Sequence, residues 1–163
     1  MMSEKVVDIV RYLNSKVKKN KAIRSVLIMC GEHCNRIELG EKKLLDYVTQ
    51  LASKMDAPVA ATGNTVIELK ERGVNARKMF AAETVFYLKY SWREELGLSE
   101  KPEVVLLMGY NRDILKSIVS ALEGAGVDTV VLDNIEIEEA TFSLYGLSFQ
   151  EWKENLEMII KAL

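Results

Sequence analysis

Val6, Val10, Leu13 and Val17 recur at helical spacing, so the chain opens on an amphipathic helix predicted over about 3–20, with Ser3 as its cap. "SVLIMCG" follows, an apolar run without alternation that ends at Gly31. Unbroken runs of this kind mark strands covered on both faces, as in parallel sheets. Leu44, Leu45, Val48, Leu51, Ala52 and Met55 then form a helix stripe. "APVAATG" reads as a second strand, followed by a short helix closed by Gly73, and "ARKMFAAETVFYLKYSW" as a brief third strand and a helix. The scheme repeats with "PEVVLLMGY" as a strand and "NRDILKSIVSALEGAG" as a helix capped by Asn111, with Asp113 in its first turn. "VDTVVLDN" is the fifth strand. The last helix, about 148–163, starts on a Ser148–Glu151 capping box with Leu147 placed to staple onto Trp152. Its apolar face runs Trp152, Leu156, Ile159, Ile160, Leu163.

This alternation predicts one α/β domain over 1–163, a three-layer α/β/α doubly wound parallel sheet of Rossmann-like type. Composition sharpens the picture by exclusion. A formal charge of -2 gives no field to hold a nucleic-acid backbone. No segment approaches the length of a membrane span, the N-terminus lacks a signal-like apolar stretch, and two cysteines cannot staple a secreted scaffold. A cytoplasmic protein is expected.

In such sheets ligands bind beyond the carboxyl ends of the strands, where strand order reverses. That rule selects Gly31, Thr62, Gly63, Asn64, Gly109, Asn111 and Asp133 as candidate cofactor-binding residues. Small residues at helix starts let an anion approach backbone N–H groups, although turns use Gly, Asn and Asp without any ligand. Thr62-Gly63-Asn64-Thr65 resembles the phosphate loop of flavodoxins, which suggests an FMN carrier. Against this, a full strand and helix precede Thr62, and Thr65 with Glu68 makes a capping box. No Walker loop and no GxGxxG opens a helix.

"PVAATGNTVIELKERGV", an Ala-Glu helix ending in Trp92, "PEVVLLMGY" and the "TFSLYGLS" approach to the terminal helix give the chain a second resemblance. In this order and spacing, which covers most of the chain, they are similar to the epsilon subunit of the archaeal acetyl-CoA decarbonylase/synthase complex. The resemblance implies a fold like the NAD/FAD-binding middle domain of thiamine-diphosphate enzymes. It implies a partner, the nickel–iron–sulfur alpha subunit of the CO dehydrogenase component, in an alpha2-epsilon2-type assembly. It also implies that nickel and iron–sulfur clusters sit only on that partner. Two roles follow: stabilising the component without catalysis, or binding FAD to pass on electrons from CO oxidation. Self-association is expected when the chain is isolated.

The residues themselves fit a non-catalytic role. Iron–sulfur clusters usually take four thiolates, and the chain has only Cys30 and Cys34. With His33 these could offer zinc three ligands, but Cys30 closes a buried strand and an ordinary core cysteine beside an exposed loop is the expectation. This stretch also departs from the family, where a glycine-containing turn is usual. The loop from Gly31 to Gly40 is long for such a connection, which suggests a partner contact or lid. A nucleotide-dependent enzyme would need an acid–base pair, for which Glu32, Asp113 and Asp133 are the candidates. Lys16, Lys18, Lys19, Lys21 and Arg24 read as a solvated helix end or as a docking surface. Phe80, Phe86, Tyr87, Tyr90 and Trp92 read as core, with Tyr87 and Trp92 as alternative interface anchors.

Overall fold

A computed structural model describes residues 3–17 and 26–163. Its main sheet has strands β1 (Val26–Cys30), β4 (Val59–Ala61), β5 (Ala76–Lys78), β6 (Val104–Met108), β7 (Asp128–Val131) and β8 (Phe142–Ser143), ordered β5-β4-β1-β6-β7-β8 and parallel throughout. Counting only these strands, the order is 3-2-1-4-5-6, the dinucleotide-fold arrangement and not the flavodoxin one. The three-layer doubly wound sheet expected from the sequence is therefore present.

Residues alternate between the two faces along each strand, so one strand feeds two cores. Ile28, Cys30, Leu106 and Met108 face α1 (Glu4–Val17), α2 (Leu44–Met55), α3 (Gly63–Glu71) and α6 (Phe149–Ala162). Leu27, Met29, Val105 and Leu107 face α4 (Ala81–Lys89) and α5 (Arg112–Leu122). Both central strands, β1 and β6, are buried at every position, which is why their sequence shows no polar alternation.

The predicted caps of α5 and α6 form. The Asn111 side chain accepts the Ile114 N–H at 2.9 Å, and Ser148 and Glu151 cap each other's backbone N–H. The Trp152 indole donates to Leu132 O at 2.9 Å and ties α6 to the end of β7. Among the described residues no helix is long and apolar enough to cross a membrane.

Four expectations are corrected. α3 begins at Gly63 with Thr62 as its N-cap, so Thr65 lies inside the first turn, fully buried, and donates to Thr62 O instead of capping with Glu68. A sixth strand, β8, pairs with β7; at two residues it is too short to show a period. The Gly31–Gly40 stretch is structured, not an open loop: a 3-10 helix spans Glu32–Asn35, and β2 (Glu38–Leu39) pairs with β3 (Lys42–Lys43), burying Cys34 and Leu39. Of the aromatic cluster expected in the core, Trp92 packs against it and Tyr87 is half-buried, but the other three rings are exposed. Phe80, Phe86 and Tyr90 are 64%, 53% and 69% exposed, because α4 turns only Thr84 and Leu88 fully inward. Lys18, Lys19, Lys21 and Arg24 lie outside the described residues; Lys16 sits 3.8 Å from Glu103.

Candidate functional site at the switch point

The first strand of the chain, β1, has β4 on one side and β6 on the other, so strand order reverses between β1 and β6. Beyond their carboxyl ends lies a cleft of about 920 Å³. Thr62, Gly63 and Asn64 at the start of α3, with Gly109 and Asn111 before α5, line it as the sequence predicts. The 3-10 helix adds Glu32, His33 and Arg36. The remaining wall is mostly apolar and runs between α4 and α5, from Phe80, Ala81 and Val85 to Ile114, Ile118 and Ala121, with Asp113 and Ser117 as its polar members. Sequence reasoning missed this wall. Its signal is the width of the α5 stripe, where Ile114 and Ala121 extend the apolar surface beyond the core positions Leu115, Ile118, Val119 and Leu122.

Two predicted residues do not line the cleft. Gly31 lies behind the Gly109 turn in backbone contact with it: a Cβ on Gly31 would stand 2.2 Å from Gly109 O. Gly109 itself has φ +94, and a Cβ there would meet Cys34 Sγ at 2.4 Å. Both positions admit only glycine, the first by close approach and the second by conformation as well. Asp133, 2% exposed, follows β7 and reaches under the same turn. Its Oδ1 accepts the Gly109 N–H at 2.8 Å and its Oδ2 the Tyr110 N–H at 3.1 Å. Burial pushes its carboxyl up to about 7, against the two N–H groups, which favour the carboxylate.

The donors at the end of β1 are satisfied within the chain too. Gly31 N–H donates to Met108 O at 2.8 Å, His33 N–H to Gly109 O at 2.9 Å and Cys34 N–H to Gly31 O at 3.2 Å. At the start of α3, the Thr62 hydroxyl donates to Asn64 Oδ1 at 2.8 Å and the Thr65 hydroxyl to Thr62 O at 2.9 Å. Asn64 in turn donates to Glu32 O at 3.1 Å, and Asn35 to Asn64 O at 2.6 Å, binding α3 to the 3-10 helix. The hydroxyls that resemble a flavodoxin phosphate loop thus serve the fold.

Cys30 and Cys34 are buried free thiols; Cys34 donates to Met108 O at 3.4 Å. Burial, then the neighbouring Cys30 and Asp133, hold the Cys34 thiol well above its ordinary range, and burial does the same for the Tyr110 hydroxyl. A thiol that resists ionisation is a poor nucleophile and a poor metal ligand. Among the described residues no three His, Cys, Asp or Glu side chains gather for a metal ion. Glu32 and Asp113 stand on the cleft wall while Asp133 lies beneath the turn, so the three candidate acid–base groups do not converge on one cleft surface.

No family model matches the chain. Two relatives do. The acetyl-CoA decarbonylase/synthase complex subunit epsilon 1 of Methanosarcina barkeri is 26% identical over 124 residues, 76% of this chain and 73% of that protein. Subunit epsilon 2 of the same complex from Methanosarcina mazei is 24% identical over the same shares. The resemblance carried by the sequence motifs is thereby borne out: over about three quarters of its length this chain is similar to epsilon subunits of acetyl-CoA decarbonylase/synthase complexes.

Proposed function

We propose that this chain is a non-catalytic, stabilising subunit of the CO dehydrogenase component of an acetyl-CoA decarbonylase/synthase complex. In this reading the chemistry of CO oxidation, and of acetyl-CoA cleavage and synthesis, runs on the nickel and iron–sulfur clusters of a large alpha subunit. The epsilon chain binds that subunit in an alpha2-epsilon2-type assembly inside the cell. The observation that carries the reading is the similarity over 124 residues to two epsilon subunits. The surface supports it: Phe86 and Tyr90 pack tilted with ring centroids 5.3 Å apart on the outside of α4, with Phe80 exposed at the helix start. Large exposed aromatics are the side chains that anchor interfaces. In isolation the same face is proposed to pair copies of the chain.

A flavin or dinucleotide carrier is the second reading, and the position of the cleft at the switch point favours it. The donors at the ends of β1 and β6 already have partners within the chain, and no electron-transfer step through a flavin is derived. Co-expression with the alpha subunit tests the main proposal. The epsilon chain should co-purify with a large iron–sulfur polypeptide in a fixed ratio; failure to associate, or turnover by the epsilon chain alone, contradicts it.

A further inference from the structure

A doubly wound fold grips a dinucleotide through its diphosphate. Backbone N–H groups at the end of the first strand, and the start of the helix that follows directly, point at the phosphate oxygens. This chain has the strand order for that arrangement, but its residues do not fit the group.

First, the ends of β1 and β6 touch. Gly31 lies against Gly109 with no room for a Cβ, and His33 N–H bonds across to Gly109 O at 2.9 Å. Second, β1 does not run straight into a helix. The 3-10 helix and the β2–β3 hairpin intervene, α2 starts only at Leu44, and α2 contributes no residue to the cleft. Third, the adjacent donors after β6, on Gly109 and Tyr110, are held by the two oxygens of one buried side chain. Two neighbouring N–H groups meeting the two oxygens of a carboxyl form the pattern a phosphate would make.

We propose that Asp133 is a built-in occupant of the anion seat. Its oxygens hold the Gly109 and Tyr110 N–H groups from beneath the turn, outside the cleft, so these donors are not offered to FAD or a nicotinamide dinucleotide in the switch-point crevice. The side chain also ties the end of β7 to the turn after β6. The seat therefore serves to fix the floor of the cleft rather than to take a diphosphate. This inference is independent of the accessory-subunit reading: a bound dinucleotide would overturn it and leave association with the alpha subunit untouched.

Two experiments on the full chain test it. Equilibrium dialysis of the wild-type protein against FAD, NAD and ADP at millimolar concentration should show no saturable binding. Saturable uptake of either dinucleotide would overturn the proposal. Asp133→Ala then vacates the seat, and formate is the fragment removed. Formate should raise the melting temperature of this variant by several degrees, with no such rise in chloride or in the wild type. Equal melting in formate and chloride would show that no anion seat exists. If the variant folds only when formate is present, that is the same support in stronger form. The wild-type dialysis decides the matter whether or not the variant folds, and Asp133→Asn supplies a volume-conserving control that formate should leave unmoved.

Discussion

The floor of the cleft and the outer face of α4 adjoin each other, and they differ in how fully the chain satisfies them. On the floor, the Gly31, His33, Cys34, Gly109 and Tyr110 N–H groups all have partners within the chain, and the two glycines meet with no space between them. On the outside of α4, Phe86 and the adjoining Tyr90 stand in solvent, although α5 in the same layer buries Leu115, Ile118, Val119 and Leu122. A region whose donors and contacts are complete gains little from a ligand. A region that leaves large aromatic area exposed gains from any surface that covers it. In the proposed reading this contrast favours partner binding on the flank over ligand binding at the crevice.

The comparison can be broken most forcefully at Gly31. Gly31→Ala puts a methyl against a backbone oxygen that no rotamer can move, and should cost roughly 3–5 kcal/mol in chemical denaturation. A loss under about 1 kcal/mol would show the two strand ends to be loosely apposed. Leu115→Ala, in the completed part of the same layer, should cost about 2–5 kcal/mol by the same measurement.

Asp133 sharpens the contrast through pH. Its carboxyl is raised in the fold from 3.8 to about 7, so between those values the folded chain holds a proton that the unfolded chain releases. Stability from this group is complete below about pH 4 and falls as pH rises through 7, by a few kcal/mol at the order-of-magnitude level. Tyr110 and Cys34 stay neutral across that window because burial raises both further. Asp133→Asn should remove this descent from a series of urea midpoints. Carbon NMR finding the Asp133 carboxyl titrating near 4 would contradict the account.

On the open side the expected effects on folding are smallest. Phe86→Asp should change stability by no more than about 0.5 kcal/mol, since the ring is more than half exposed. The same substitution should weaken association with the large subunit about tenfold or more, read by titration of labelled protein. Unchanged affinity would remove α4 from the interface.

Much of the fold was legible because burial leaves a period. β1 and β6 read as strands from their unbroken apolar runs, and α2 and α6 from stripes the structure buries. β8 was not legible, since two half-buried residues carry no pattern. Thr65 misled because a threonine three residues before a glutamate suits a cap, whereas tertiary packing begins the helix three residues earlier, with Thr62 as the cap. At the site, turn chemistry picked out Thr62, Gly63, Asn64, Gly109 and Asn111 as cleft residues. It gave no means of knowing that Asp133 points inward, because that depends on how β6 and β7 pair across the sheet. The exposure of Phe86 and Tyr90 was hidden for a related reason: aromatic density predicts burial, but whether this chain or another supplies the cover is a tertiary matter.

The most direct test is sedimentation of this chain mixed with the purified alpha subunit of the proposed complex, run with wild type and with Phe86→Asp. The account predicts a stoichiometric complex for the wild type and a weakened one for the variant, with no flavin in either. A wild-type chain that sediments alone beside the alpha subunit would contradict it.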